Sequence, residues 1–162
     1  MSIRTSILLF FLAFLLRVSP LNWGLPSETG RLATYHPDEA ITFHAISKWG
    51  KENPFLHPDR TILWGGGHLI PTALALKASE FLGYISFHGR EFLEDNLKEA
   101  DKLYRVGRMV EILAGSLSVV VMFLIGGLYP ALFLCFAQVH IINSFLLRPD
   151  SLMVLFCLLS WW

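Results

Sequence analysis

The sequence predicts an all-α integral membrane protein: a multi-span helical bundle with a long external loop that contains short amphipathic helices. Of its 162 residues, 54% are hydrophobic and 16% are charged, whereas soluble domains carry about 25% charged residues. The charges are also unevenly placed, because residues 112–147 contain no Asp, Glu, Lys or Arg. Basic and acidic residues balance at 13 each, so no basic excess points to nucleic-acid binding.

The first predicted span covers Thr5 to Trp23. Arg4 precedes an unbroken apolar stretch, Ile7 to Leu16, and no small-x-small cleavage site follows it. The segment is therefore interpreted as an uncleaved signal anchor. Trp23 suits the membrane interface, and Arg17 is long enough to snorkel towards the surface or to pair with an acid.

The uncharged run at 112–147 is too long for a single span. Its 36 residues would form about 54 Å of helix, against a hydrocarbon core of roughly 30 Å. Gly126-Gly127 weakens a helix interior, and Pro130 is best tolerated in a first helical turn. We therefore predict spans at 108–126 and 130–147. Residues 151–162 are uncharged but too short to cross a bilayer, which predicts a truncated span and a chain that is the amino-terminal part of one membrane domain.

Residues 24–107 form the predicted external loop. Pro37 to Trp49 and Pro71 to Phe81 begin with proline and precede a glycine, which predicts helices whose apolar stripes lie along a membrane surface. Glu91 to Tyr104 predicts a helix with Glu94–Lys98 and Asp101–Arg105 pairs that runs into the second span. The glycines at 65–67 predict a flexible turn. Arg4 marks the amino terminus as cytoplasmic, so three spans place the loop and Asp150 on the external or lumenal side.

The adjacent acids Asp38 and Glu39 follow Tyr35, His36 and Pro37 at the opening of the loop. In one interpretation they only stabilise the positive end of a helix, by about 0.3–1 kcal/mol. In the other they form a catalytic site with Asp150, because acids at a low-dielectric membrane rim suit a general base. The residue types alone leave both interpretations open.

Several short features follow one another along the chain: an arginine near the end of the first span, Tyr35-His36-Pro37-Asp38-Glu39-Ala40, Phe81-Leu82-Gly83 after a Pro-led helix, Arg108, and Pro149-Asp150 after the third span. Their order and membrane placement resemble the amino-terminal part of the GT-C membrane glycosyltransferases. The resemblance is to the branch of protein O-mannosyltransferases and aminoarabinose transferases. GPI and dolichol-pathway mannosyltransferases also carry His-Pro-Asp-Glu after a first span, and Pro149-Asp150 favours the first branch.

This resemblance implies a GT-C-like fold and transfer of a sugar from a polyprenyl-phosphate donor, dolichyl or undecaprenyl, to a protein, lipid or glycan acceptor. The active face would be the external or lumenal face of the plasma membrane or endoplasmic reticulum. Asp38 would be the catalytic base, Glu39 its supporting neighbour and Asp150 the acid of the second external loop. Arg105, Arg108 and Arg148 are candidates to bind the donor phosphate, or else interface anchors.

Two features depart from the family pattern. The turn between the second and third predicted spans lacks the basic residues that such enzymes commonly place there, and the family's later spans and any soluble carboxy-terminal domain are not part of this sequence. Of the three arginines, Arg108 has a clear counterpart in the family pattern.

The polar residues outside this motif set predict no metal site. The histidines at 36, 44, 57, 68 and 88 lack zinc-ligand spacing, so no cofactor is assigned, although a divalent metal is left open. His140 lies mid-span and is predicted to hydrogen-bond between helices. Two further classes of function remain: a non-enzymatic small membrane protein that binds a partner through its loop helices, and a transporter fragment in which Arg17 and other polar residues line a path.

Overall fold

A computed structural model describes residues 2–49 and 65–162. All regular secondary structure in these two ranges is helical, which confirms the all-α prediction. The chain divides into two compact units. The terminal unit comprises Met1–Leu21 and Arg108–Trp162, and the loop unit comprises Asn22–Gly107. The predicted stop at Gly50, together with His57, lies outside the described residues.

The terminal unit contains five helical segments, and its main apolar core lies between the three that come first in the chain. The segments are α1 (Ile3–Val18), the end of α6 (Leu97–Gly126), α7 (Leu128–Phe136), α8 (Gln138–Phe145) and α9 (Asp150–Trp161). The core residues are Leu9, Ala13, Val119, Phe123, Ala131 and Cys135.

Helix α1 is shorter than the predicted first span, since it ends at Val18 rather than Trp23. Pro20 has no N–H to donate to the carbonyl of Leu16, so the helix cannot continue through it. The hydroxyl of Ser19 donates to that carbonyl instead, at 3.1 Å. A local side-chain hydrogen bond therefore replaces the missing backbone bond where the helix stops.

Helix α6 is long and apolar enough to cross a membrane. It begins at Leu97 and runs into the second predicted span, as predicted. The predicted helix at 91–104 is wrong as a single helix, because Asn96 separates α5 (Arg90–Asp95) from α6. The predicted break at the glycine pair is confirmed, because α6 ends at Gly126 and Gly127 adopts φ +82°. Glycine enters that left-handed region without the steric cost that a Cβ would impose.

The predicted span at 130–147 is wrong as a single helix. Ala137 adopts an extended conformation between α7 and α8, and the two helices are bent by 60° at this break. The last carbonyls of a helix lack intrahelical partners. Here the Arg17 guanidinium donates to two of these carbonyls, that of Leu134 at 3.4 Å and that of Cys135 at 3.5 Å. The break went unpredicted because its hydrogen-bond donor comes from a distant part of the chain.

The loop unit contains α2 (Pro26–Thr29), α3 (Glu39–Trp49), α4 (Gly66–Phe81), α5 and the start of α6. Helix α3 begins at Glu39 rather than at Pro37. Helix α4 begins at Gly66 rather than at Pro71, so the predicted flexible turn is wrong and Pro71 lies inside the helix. Two small apolar clusters stabilise the unit, one of Ile85, Leu93, Ala100 and Leu103 and one of Ala45 and Leu69.

The predicted apolar stripe of α4 is exposed at its carboxyl end. Leu74, Phe81 and Leu82 have 62%, 91% and 77% of their surface exposed. Exposed apolar surface on a helix suits a membrane interface, and whether this stripe meets one stays a prediction.

Candidate functional site

The approach to the acid pair is fixed by a tight contact between Gly24 and Tyr35. The Tyr35 N–H donates to the Gly24 carbonyl at 3.2 Å, and a Cβ on Gly24 would lie 2.4 Å from Tyr35 Cδ2. Gly24 also has φ +61°, which favours glycine. The Trp23 ring packs edge-on against Tyr35 with centroids 5.4 Å apart. Trp23 and Gly24 therefore fix the position of Tyr35, at the start of the segment that leads into Asp38 and Glu39.

Asp38 and Glu39 have different surroundings although they are adjacent. Glu39 opens α3 and is fully buried, and its Oε2 accepts a hydrogen bond from the Thr34 hydroxyl at 2.5 Å. Asp38 precedes the helix and is half-buried, and its N–H donates to His36 Nδ1 at 3.4 Å. The sequence predicted the pair, whereas Thr34 was missed.

A second polar contact lies between α3 and α4 in the same unit. The Thr42 hydroxyl and His68 Nε2 are 3.0 Å apart, and the Thr72 hydroxyl donates to the His68 carbonyl at 2.9 Å. All three residues are buried. Thr42 follows Glu39 by three positions and so shares its helix face, a signal that could have found it. His68 could not be assigned, because its partner lies on another helix.

Arg105 lies in the loop unit and is bound by its neighbours. Its Nε donates to Asn22 Oδ1 at 2.8 Å, and its Nη2 lies 3.9 Å from Asp101 Oδ2, which confirms the predicted Asp101–Arg105 pair. The predicted Glu94–Lys98 pair is wrong. Glu94 instead accepts from Arg90 at 2.7 Å, because the break at Asn96 removes the helical spacing that would join residues 94 and 98.

The buried carboxylate of Asp101 also holds helix α2. Its two oxygens accept hydrogen bonds from the Ser27 N–H at 2.9 Å and from the Ser27 hydroxyl at 2.6 Å. Ser27 lies in the first turn of α2, where backbone N–H groups lack intrahelical partners. Asp101 on α6 thus caps another helix within the loop unit.

The remaining predicted residues lie in the terminal unit. Arg108 is fully buried and donates from Nη1 to the Leu21 carbonyl at 2.8 Å. Arg148 and Asp150 are partly exposed, and their Nε and Oδ2 atoms are 3.2 Å apart. Arg148 and Asp150 therefore form an ion pair at the start of α9 whose side chains are partly exposed, although the two paired atoms are buried. Arg108 lies inside the unit.

Glu111 is a buried carboxylate that sequence reasoning missed. It lies on α6 with none of its surface exposed, and its Oε2 accepts a hydrogen bond from the Leu152 N–H at 3.3 Å. Leu152 lies in the first turn of α9. Nearby, the hydroxyls of Ser151 and Ser144 are 3.1 Å apart.

Arg17 is buried within the terminal unit, and no carboxylate among the described residues pairs with it. Besides the carbonyls at the helix break, its Nη2 lies 2.7 Å from His140 Nδ1. A guanidinium has donors only, so His140 accepts through Nδ1 and keeps its proton on Nε2. The prediction that His140 bonds between helices is confirmed, whereas Arg17 neither snorkels nor pairs with an acid of the described chain.

Asp38 and Asp150 belong to different units, so their proximity stays a prediction. Within the described residues, no group of three or more His, Cys, Asp and Glu side chains could hold a metal ion. Cys135 is buried and Cys157 is exposed. In comparisons with known proteins, no family model, curated protein or solved structure matches this chain.

Proposed function

We propose that the terminal unit lies in a membrane as a multi-span helical bundle and that the chain is a glycosyltransferase. In this proposal the chain resembles the GT-C enzymes and moves a sugar from a polyprenyl-phosphate donor to an acceptor on the external or lumenal face. The membrane placement and the chemistry have separate support, and each has its own test.

The membrane placement is supported by the inverted surface of the terminal unit. Its charged side chains Arg17, Arg108 and Glu111 are fully buried, whereas many large apolar side chains lie on its outside. Soluble proteins keep most charged side chains on their surface, whereas a protein surface that faces lipid is apolar. The exposed side chains include Leu8, Phe11, Leu15, Phe133, Val139, Met153 and Trp161.

The chemistry is supported by the difference between Asp38 and Glu39, the single observation that carries the proposed reaction. A general base must be reachable by the acceptor hydroxyl or amide, and Asp38 is half-buried. Glu39 is buried and bonded to Thr34, which suits a supporting residue. As the base, Asp38 would take the acceptor's proton while the acceptor attacks the anomeric carbon and the polyprenyl phosphate leaves with inversion.

The arginines could stabilise the leaving phosphate, because charge developing in a transition state is best met by fixed cations. Arg105 and Arg148 are the two candidates with accessible side chains, which are 34% and 29% exposed, whereas Arg108 is fully buried. All three arginines have a partner within the protein: Asn22 for Arg105, the Leu21 carbonyl for Arg108 and Asp150 for Arg148. Each would have to exchange that partner for the phosphate, and we place the accessible Arg105 and Arg148 before Arg108 in this role.

The chemical test compares Asp38→Asn with Glu39→Gln in protein reconstituted with a polyprenyl-phosphate sugar. Asp38→Asn removes the base without changing size, so turnover per folded molecule should fall about 10²–10⁴-fold. Glu39→Gln keeps an acceptor for Thr34 and should cost less. Full activity of Asp38→Asn would leave only the interpretation in which the acids stabilise a helix end.

The orientation is tested by a single exposed cysteine in the loop unit. Ser86→Cys, in a background with Cys135→Ser and Cys157→Ser, should react with an impermeant thiol reagent from the external or lumenal side. Ser86 is exposed, and Cys157→Ser removes the exposed native thiol. Reaction only from the cytoplasmic side would overturn the proposed orientation.

A transporter is a second candidate, because discontinuous helices with buried polar groups are typical of transport sites. The break between α7 and α8, held by Arg17 and His140, is the observation that favours it. Uptake of solutes into vesicles that contain the protein, abolished by Arg17→Lys, would favour this candidate. Sugar transfer without uptake would favour the enzyme.

A further inference from the structure

Helix α9 begins without a side-chain cap of its own. Pro149 occupies the position before the helix, and its side chain has no atom that could accept a hydrogen bond from the first turn. The N–H of Leu152, in the first turn, would lack a partner within the helix. Its acceptor is the carboxylate of Glu111, which reaches it from α6. A buried negative charge at this end of α9 is also favoured by the helix dipole.

The same corner carries the Arg148–Asp150 ion pair. Asp150 is the first residue of α9, and Arg148 lies two residues earlier. The preceding Leu146 and Leu147 are buried, and the Ser151 hydroxyl bonds to Ser144 on α8. Glu111 and Ser144 thus fix the residues immediately after Asp150, while the leucines fix the residues before Arg148. The ion pair is presented by a corner that is held on both sides.

We propose that Glu111 is a positioning residue, which acts through the first turn of α9 to orient Asp150 and its partner Arg148 for the proposed sugar transfer. This inference rests on the proposed function. Glu111 is fully buried and accepts a hydrogen bond from the backbone of α9, so we place its effect on the reaction in the corner that it holds. Its charge and its acceptor oxygen can be separated by substitution.

The experiment measures amide exchange and sugar transfer in the same variants. Glu111→Leu removes the acceptor at similar size, and Glu111→Gln keeps an acceptor oxygen without the charge. The Leu152 amide should exchange about tenfold or more faster in Glu111→Leu, because its hydrogen bond to a charged group is lost. Glu111→Gln should change that rate less than about threefold. Glu99→Gln is the matched control, since Glu99 lies on α6 and bonds to Lys102; it should leave the Leu152 amide unaffected.

In the transfer assay, Glu111→Leu should lower kcat about tenfold per folded molecule and change the donor KM less than about twofold. Glu111→Gln should recover most of the turnover. In an Asp150→Asn background, Glu111→Leu should cost nothing further, because a residue that acts through Asp150 has no effect once Asp150 is altered. Effects that multiply in the double variant would overturn the inference.

The outcomes separate this inference from the proposed function. If the wild-type chain transfers sugar and Glu111→Leu keeps full turnover, the inference fails and the proposed function stands. If the Leu152 amide exchanges at the wild-type rate in Glu111→Leu, Glu111 does not hold α9 and the inference fails. If the wild-type chain transfers no sugar while the Leu152 amide still exchanges faster in Glu111→Leu, the proposed function fails, and the assignment of Glu111 to that reaction fails with it.

Discussion

In the terminal unit the charged side chains of Arg17, Arg108 and Glu111 are buried. In the described part of the loop unit, by contrast, the Lys77–Glu80 and Arg90–Glu94 pairs lie on the surface. The difference reflects what satisfies each charge. Water satisfies exposed charges in the loop unit, while carbonyls and helix N-termini satisfy two of the buried ones in the terminal unit: Arg17 at the end of α7 and Glu111 at the start of α9.

The largest expected effect comes from removing one arginine from each unit, which tests whether the buried charge contributes more to stability than the exposed one. Arg17→Met would leave the carbonyls of Leu134 and Cys135 and the ring nitrogen of His140 without a donor, so it should cost about 3–5 kcal/mol of unfolding free energy. Arg90→Met should cost under about 0.5 kcal/mol, because its pair with Glu94 is exposed. Unfolding in mixed micelles measures both, and equal costs would contradict the contrast.

A glycine-to-alanine substitution should change the free energy of unfolding in opposite directions in the two units. A Cβ on Gly115 would lie 2.3 Å from Ser144 Oγ and 3.1 Å from Arg17 Nε, so Gly115→Ala should lose about 1–3 kcal/mol through overpacking. Among the described residues, a Cβ on Gly66 would meet only Ile70, at 3.4 Å or beyond, so Gly66→Ala should gain about 0.4–1 kcal/mol by restricting the unfolded chain. Loss of stability in both variants would show that α4 does not tolerate a Cβ at its start.

The smallest of the three main losses of stability, after those of Arg17→Met and Gly115→Ala, concerns the buried contact between α3 and α4. Thr42→Val keeps the shape but removes the hydroxyl next to His68 Nε2, so it should cost about 1–2 kcal/mol. Ser47→Ala on the same helix is the control, because Ser47 is exposed and its hydroxyl donates to the local His44 carbonyl; it should stay within about 0.5 kcal/mol. If Thr42→Val cost as little stability as Ser47→Ala, the contact between Thr42 and His68 would not stabilise the loop unit.

Local chemistry explains what could be predicted along the chain. The end of α6 at Gly126 follows from a glycine pair and a nearby proline, and the Asp101–Arg105 pair follows from helical spacing. The Glu94–Lys98 pair failed because a single break at Asn96 changed the spacing. In the candidate site, Asp38, Glu39 and Asp150 are short-range motif residues, whereas Thr34, His68 and Glu111 became evident only through contacts that no local pattern records.

The sequence by itself determined the helical class, the division between an apolar part and a charged loop, and the glycine break after α6, because each depends on composition or on neighbours a few residues apart. The tertiary structure decided where Arg17 and Glu111 find their partners, and therefore why the helix breaks at Ala137 and where α9 is held. Helix ends leave carbonyl and N–H groups unsatisfied, and here the groups that satisfy them come from helices far away in the chain. Such pairings depend on how helices pack, which no short stretch of sequence specifies.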